Sequence, residues 1–229
     1  MSKEQPNLFG EDKPGTINES EASYKSSQKE KKPYLPQVKW EESYNSITDY
    51  AELKDMASQC SLCRLRNTCK QVVFGEGDIN SPLMFIGEGP GQDEDVKGRV
   101  FVGKAGQLLD KIFLGAEIPR QDVYITNVIK CRPPSNRLPK PDEVKLCQNY
   151  LEAEIQIIRP KIIVCLGSLA SKTVIDKNVR ITKIRGKWFT RGDTKIIATF
   201  HPAALLRNED YKRPTWEDFK LIRDEFKKL

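Results

Sequence analysis

Leu83-Met84-Phe85-Ile86-Gly87-Glu88-Gly89-Pro90-Gly91 decides the architecture: an apolar run of strand length stops abruptly in glycines and a carboxylate. Unbroken apolar character, rather than alternation, is what a strand buried on both faces requires. Glycines directly after it let the backbone turn tightly and approach a ligand. The same signature recurs at Val123 to Asn127, Ile162 to Leu166 and Lys195 to Thr199, each run bounded by polar residues or glycine. Helical patterns lie between and after them, at Ala105 to Leu114, about Asp142 to Ile158 and Trp216 to Leu229. Such alternation predicts an α/β fold, a three-layer αβα arrangement around a central, mostly parallel four-stranded sheet with right-handed crossovers. In sheets of this kind ligands sit beyond the carboxyl ends of the strands.

That rule directs attention to the residues just beyond each run. After the first come Glu88, Gly89 and the acidic stretch Asp93-Glu94-Asp95. The Gly-Lys-Ser/Thr ending of a phosphate loop is missing, and clustered carboxylates repel phosphate, so a neutral or cation-like reacting centre fits better. The second run ends at Asn127, the third at Gly167-Ser168, the fourth at Phe200-His201-Pro202. His201 is the sole histidine of the chain, and it stands where the fold rule places chemistry.

The 229 residues are 38% hydrophobic, enough for one domain with a real core. A net charge of +6 suits a polyanionic partner without choosing among nucleic acid, membrane surface and acidic protein. No apolar run approaches membrane-spanning length and MSKEQPNLFG is not a leader, so a cytoplasmic protein is expected, at the nucleoid if DNA is the partner. In a reducing compartment six cysteines argue for ligation rather than disulfides. Cys60 and Cys63 form a C-x-x-C, Cys131 comes after the second strand and Cys147 falls on the next helix; four thiolates of this kind suit zinc or a cubane iron-sulfur cluster alike. Cys165 sits within an apolar run and reads as core, and Cys69 as a bystander. Residues 1–44, rich in Ser, Glu, Lys and Pro, are expected to be a disordered tail ahead of a domain spanning 45–229. Within the tail, Gln5, Leu8 and Phe9 resemble the short peptide by which bacterial replication and repair proteins dock on the sliding clamp.

The cysteine spacing, Gly87-Glu88-Gly89-Pro90-Gly91, Phe101-Val102-Gly103-Lys104-Ala105-Gly106 and His201-Pro202-Ala203-Ala204-Leu205 together resemble the iron-sulfur uracil-DNA glycosylases of family 4, from about residue 55 to the C-terminus. The resemblance implies a monomeric enzyme that hydrolyses the N-glycosidic bond of a deoxyuridine flipped out of uracil-containing DNA, beginning base excision repair. It implies a [4Fe-4S] cluster on Cys60, Cys63, Cys131 and Cys147, structural in role. Phe101 matches the aromatic that stacks on the base, Asn127 would read the uracil edge and Glu94 would stand near C5 to exclude the methyl of thymine. His201 would donate to uracil O2 as negative charge grows there. Where other uracil glycosylases carry an aspartate this chain has Gly89, so the water is expected to be held by backbone groups around Glu88 and Gly89. Residues 181–229 hold twelve Lys or Arg against seven Asp or Glu, and Leu205 and Arg207 are candidate DNA contacts, as a wedge and a phosphate ligand, against ordinary helix packing. The rival from another class is a non-enzymatic iron-sulfur DNA-binding or redox-sensing module, which would tolerate loss of Phe101, Asn127 and His201. A covalent, trapping relative would need a second histidine in a basic loop; Arg207 to Pro214 has none, so turnover is expected.

Overall fold

The computed structural model describes Tyr44 and residues 46–229; the expected tail and the candidate clamp residues Gln5, Leu8 and Phe9 lie outside the described residues. Among the described residues the sheet has six strands. A two-residue β1 (Glu76–Gly77) pairs antiparallel with β3 (Tyr124–Asn127), which runs parallel to β2 (Leu83–Gly87). Next come β4 (Ile162–Leu166) and β6 (Thr194–Thr199), both parallel, and β5 (Trp188–Arg191) closes the far edge antiparallel to β6. The four parallel strands are those expected from the apolar runs. The count of four is corrected by the two edge strands. β1 is too short to carry a pattern, and β5 is only half-buried, joined to β6 by a turn with Gly192 at φ +57°.

Alternate residues of β2 feed opposite layers, as the pleat demands. Leu83 and Phe85 face a core shared with α3 (Lys104–Gly115) and α8 (Lys212–Phe226). There the rings of Phe85 and Phe113 meet edge to face at 4.8 Å, and Phe219 stacks on Phe85 at 6.0 Å. Met84 and Ile86 face the other layer, built from α4 (Pro141–Ile158), α5 (Gly167–Val174) and the single turn α6 (Ile181–Ile184). Helix α4 begins as its sequence dictates, with Pro141 in the first turn and Glu143 accepting the Lys140 N–H at 2.8 Å. On its outer side lies α1 (Tyr50–Ser58), started by Asp49 capping the Glu52 N–H at 2.8 Å. Leu53 and Ala57 of α1 pack with Tyr150 and Ala153, and Tyr44 sits edge-on to Tyr150 at 5.2 Å. The packed body thus already includes Tyr44, one residue before the boundary drawn from composition.

Candidate active site

A cleft of about 400 Å³ opens where β2, β3 and β6 end. Glu88, Gly89, Glu94, Phe101, Asn127, His201 and Arg207, seven residues singled out from the sequence, all line it. The volume suits one base with its sugar.

Phe101 is carried by the turn between α2 (Gln92–Lys97) and α3. Its backbone is left-handed, φ +50°, a conformation that costs a non-glycine residue on the order of 1 kcal/mol and must be imposed by its surroundings. Glu94 imposes it: its carboxylate accepts the N–H groups of Val102 (2.9 Å), Gly103 (2.8 Å) and Gly91 (3.1 Å). On the other side Arg120 donates to the carbonyls of Val100 (2.8 Å) and Phe101 (3.4 Å). Gly106 lets helix α3 close on the turn, since a Cβ there would lie 1.9 Å from the Phe101 carbonyl oxygen. The ring is buried and is also pocket wall, stacked at 5.6 Å and 30° on the His201 imidazole.

Asn127, buried at the end of β3, presents an orphan. Among the described residues its Oδ1 is the one buried side-chain nitrogen or oxygen without a hydrogen-bond partner. An unpaired buried acceptor costs about 1–3 kcal/mol, a cost a ligand donor removes. Gly87 makes the room: a Cβ there would sit 2.3 Å from Asn127 Oδ1 and 2.6 Å from Phe101 Cζ.

His201 caps the single turn α7 (Pro202–Leu205), its Nδ1 accepting the Ala203 N–H at 3.1 Å. That bond fixes the tautomer, leaving the proton of the neutral ring on Nε2. Burial, reinforced by the positive charge of Arg207, lowers its pKa to about 4, so the ring is a neutral N–H donor at physiological pH. Gly167 (φ +89°) clears space for it, because a Cβ there would come within 2.8 Å of His201 Cβ.

Glu88 is half-buried, and that burial holds its carboxyl above the usual range while Arg207 partly offsets it. Its carbonyl accepts the Ile129 N–H at 3.1 Å, so the backbone here is already tied to the strand exit. At Gly89 a Cβ would lie 2.5 Å from Ile129 Cγ1, leaving no place for an aspartate. Of the two carboxylates lining the cleft, Glu94 is spent on backbone amides and Glu88 is the one open to a ligand.

Leu205 requires correction. It is 1% exposed and belongs to the core under α3, so it does not reach DNA; α7 is one turn long and turns this side chain inward. Leu206, at 52%, is the exposed one. Much of the C-terminal positive charge is also committed internally: Arg185 binds buried Asp218 (2.5 Å), Arg191 buried Glu152 (2.5 Å) and Lys195 Glu225 (2.5 Å). Arg207 instead stands exposed at the cleft.

Two features escaped the sequence reading. Lys130, 2% exposed, places Nζ on Glu154 (2.5 Å), Thr126 Oγ1 (2.7 Å) and the Asn127 carbonyl (2.7 Å), while Glu154 also takes the Tyr124 hydroxyl (2.8 Å). The only advance hint is a glutamate on the apolar face of α4. The other is the wall formed by residues 133–139, whose prolines were visible but whose destination was not.

A second cavity, apolar, lies between α1, the exit of β3 and α4, and Cys60, Cys63, Cys131 and Cys147 line it. Among the described residues no three His, Cys, Asp or Glu side chains close on a point as a single ion requires. The donor set, four thiols around one apolar space, fits a polynuclear thiolate-bound group better than a lone zinc. Burial pushes the Cys147 thiol up to about 12 and raises Cys63 and Cys131 as well, so ligation must release protons. The Lys130 N–H donates to Cys147 Sγ at 3.3 Å. Cys69 touches Cys131 but does not line the cavity, and Cys165 is core.

The model of the uracil DNA glycosylase superfamily matches residues 74–220. The chain is 44% identical over 182 residues to the type-4 uracil-DNA glycosylase of Thermotoga maritima, covering 77% of this chain and 94% of that one. It is 41% identical over 173 residues to that of Archaeoglobus fulgidus (71% and 86%), and 43% over 184 residues to that of Sulfurisphaera tokodaii (76% and 83%). With these likenesses spanning both the cleft and the cysteine cavity, the chain belongs to the uracil-DNA glycosylase superfamily, among its type-4 members.

Proposed function

We propose that the cleft receives a uracil extruded from DNA and hydrolyses its N-glycosidic bond. One observation carries the reading: a neutral imidazole with its proton fixed on Nε2 shares the cleft with an unpaired amide oxygen. Uracil presents N3–H between two carbonyls, so Asn127 Oδ1 accepts N3–H, its amide nitrogen donates to O4 and His201 Nε2–H donates to O2. Cytosine offers the opposite polarity at N3 and C4 and leaves the Asn127 pair mismatched. Phe101 supplies the stacking face. Glu94, immobilised by three amides, cannot swing aside for the methyl group of thymine.

The C1′–N1 bond breaks with its electron pair passing into the base, where His201 stabilises the charge at O2. The cationic sugar develops beside the Glu88 carboxylate. Water adds at C1′ and its proton leaves to Glu88, whose raised pKa makes it the better acceptor. Cys60, Cys63, Cys131 and Cys147 would hold a [4Fe-4S] cluster, which supplies a covalent cross-link between α1, the β3 exit and α4. Arg207 serves a DNA phosphate. A monomer acting in the cytoplasm, with Gln5 to Phe9 docking on a sliding clamp, completes the reading. Incubation with uracil and matched thymine oligonucleotides tests it. Uracil-specific abasic sites lost in His201→Ala support it; intact uracil DNA from cluster-loaded protein returns the case to a non-enzymatic cluster module.

A further inference from the structure

We propose that Asp218, gripped by Arg185, is a positioning residue for His201, acting through Thr199 and Phe200 to hold the imidazole against the base. The inference rests on the glycosylase reading and adds to it the device that aims the donor. Main-chain pairing gives out just before His201. β4 accompanies β6 as far as Thr199 and β5 as far as Ile197, with one further bond from the Gly186 N–H to the Ala198 carbonyl at 3.0 Å. Beyond that point side chains do what strand neighbours do elsewhere in the sheet.

These fastenings converge on the two residues that precede His201. The hydroxyl of fully buried Thr199 donates to Asp218 Oδ2 at 2.6 Å. Asp218, itself buried on α8, accepts in turn from Arg185 Nε at 3.0 Å and Nη2 at 2.5 Å, and the same guanidinium donates to the Pro214 carbonyl in the first turn of α8. The Arg185 guanidinium also lies 5.7 Å from the centre of the Phe200 ring, which stacks on Tyr211 at 4.2 Å and 17°. Gly186, at φ +69°, makes room for the carboxylate, since a Cβ there would lie 2.6 Å from Asp218 Oδ1. A buried ion pair contributes little stability beyond an apolar pair of equal volume, so stability is a poor reason for this one. What the pair fixes is the interval between α8 and the backbone that carries His201. The bond from the Ala203 N–H to Nδ1 sets the tautomer only while the backbone on both sides of the ring keeps its place.

His201 is the sole histidine, so an imidazole nitrogen NMR spectrum of the untagged, histidine-labelled chain reports this site alone. In the unaltered, cluster-loaded chain it should show a protonated Nε2 and a bare Nδ1. Thr199→Val, which keeps the shape and removes the hydroxyl, should draw the two resonances together as tautomers mix. It should also lower kcat on uracil DNA by roughly tenfold with KM changed less than about twofold, and Thr199→Ser should retain most of both properties. Tyr211→Leu, at a half-buried position, removes the ring stacked on Phe200 and should move both readouts the same way, by about threefold in kcat. In a His201→Ala background Thr199→Val should cost nothing more, because its effect passes through the imidazole. A full loss in that background, a change in KM alone, an unaltered spectrum beside a lowered kcat, or an unaltered kcat overturns the proposal. Absence of uracil release by the unaltered chain overturns the glycosylase reading instead, while the spectrum still tests the fastening of His201.

Discussion

The cleft and the cysteine cavity are built on opposite principles. Three of the polar groups in the cleft stand at or just after the end of a parallel strand, and backbone geometry places them: Asn127 ends β3, His201 comes after β6, Glu88 after β2. Glycines keep the space clear and side-chain carboxylates fix the turns. The cysteine cavity has no such scaffold. Its walls come from segments up to 87 positions apart, from Cys60 to Cys147, joined by apolar contact and by the Lys130 N–H donated to Cys147 Sγ. On the proposed reading the site that performs chemistry is held by the fold, whereas the second site, once loaded, would help to hold the fold together. Damage to the first should therefore remove activity with stability intact, and damage to the second should do the reverse.

His201→Ala puts the largest strain on this contrast. Losing one preorganised donor costs on the order of a hundredfold to a thousandfold in kcat, with a melting temperature lowered by only a few degrees through the lost cap on Ala203, measured by single-turnover kinetics and calorimetry. A large drop in melting temperature would break the distinction. Asn127→Ala comes next, at about tenfold to a hundredfold in kcat/KM on uracil. Because the orphan acceptor is unpaired before substrate arrives, stability should hold or rise slightly. Cys147→Ser inverts the pattern: by analogy with a covalent cross-link worth about 2–4 kcal/mol, the transition should fall by about 4–16 °C, with iron content lost and chemistry per folded molecule largely kept.

The pH profile sharpens the cleft itself. Glu88 must be ionised to accept the proton, and its pKa is raised, so activity is lost as pH falls through a limb above the usual carboxylate range; Glu88→Gln should lack that limb. His201 adds none near 6.5, since its ring stays neutral to about 4. Its stability contribution has the matching sign: complete above about 6.5 and lost as pH falls toward 4, because only the unfolded chain takes up the proton in that window. A kinetic limb near 6.5 that vanishes in His201→Ala would contradict this. The smallest effect belongs to Cys69→Ser, where iron content and rate should both stay, since Cys69 does not line the cavity.

What was legible in the sequence divides along the same line. β2 and β4 fall where the apolar runs begin and end, and the places of Asn127 and His201 at the cleft were legible because strand ends are visible in sequence and topology sends ligands there. The cysteines were identifiable by spacing, but the apolar cavity they share was not. Leu205 was misassigned because the direction of a side chain on a one-turn helix depends on the residues beneath it. The clamp of Glu94 on the Phe101 turn went unseen because backbone amides leave no mark in sequence. The pairing of Lys130 with Glu154 spans 24 positions and obeys no periodicity.

Lys130 sets the rule for anyone rebuilding this protein to survive air. Its main-chain N–H meets Cys147 and its ammonium group meets the Asn127 carbonyl, so one residue measures the interval between the two sites. A redesign that replaces the cysteines with an apolar plug inherits that interval as a tolerance: a displacement of the β3 exit passes through Lys130 to Asn127, the residue proposed to tell uracil from cytosine. Fidelity, more than melting temperature, is the property by which such a variant should be screened.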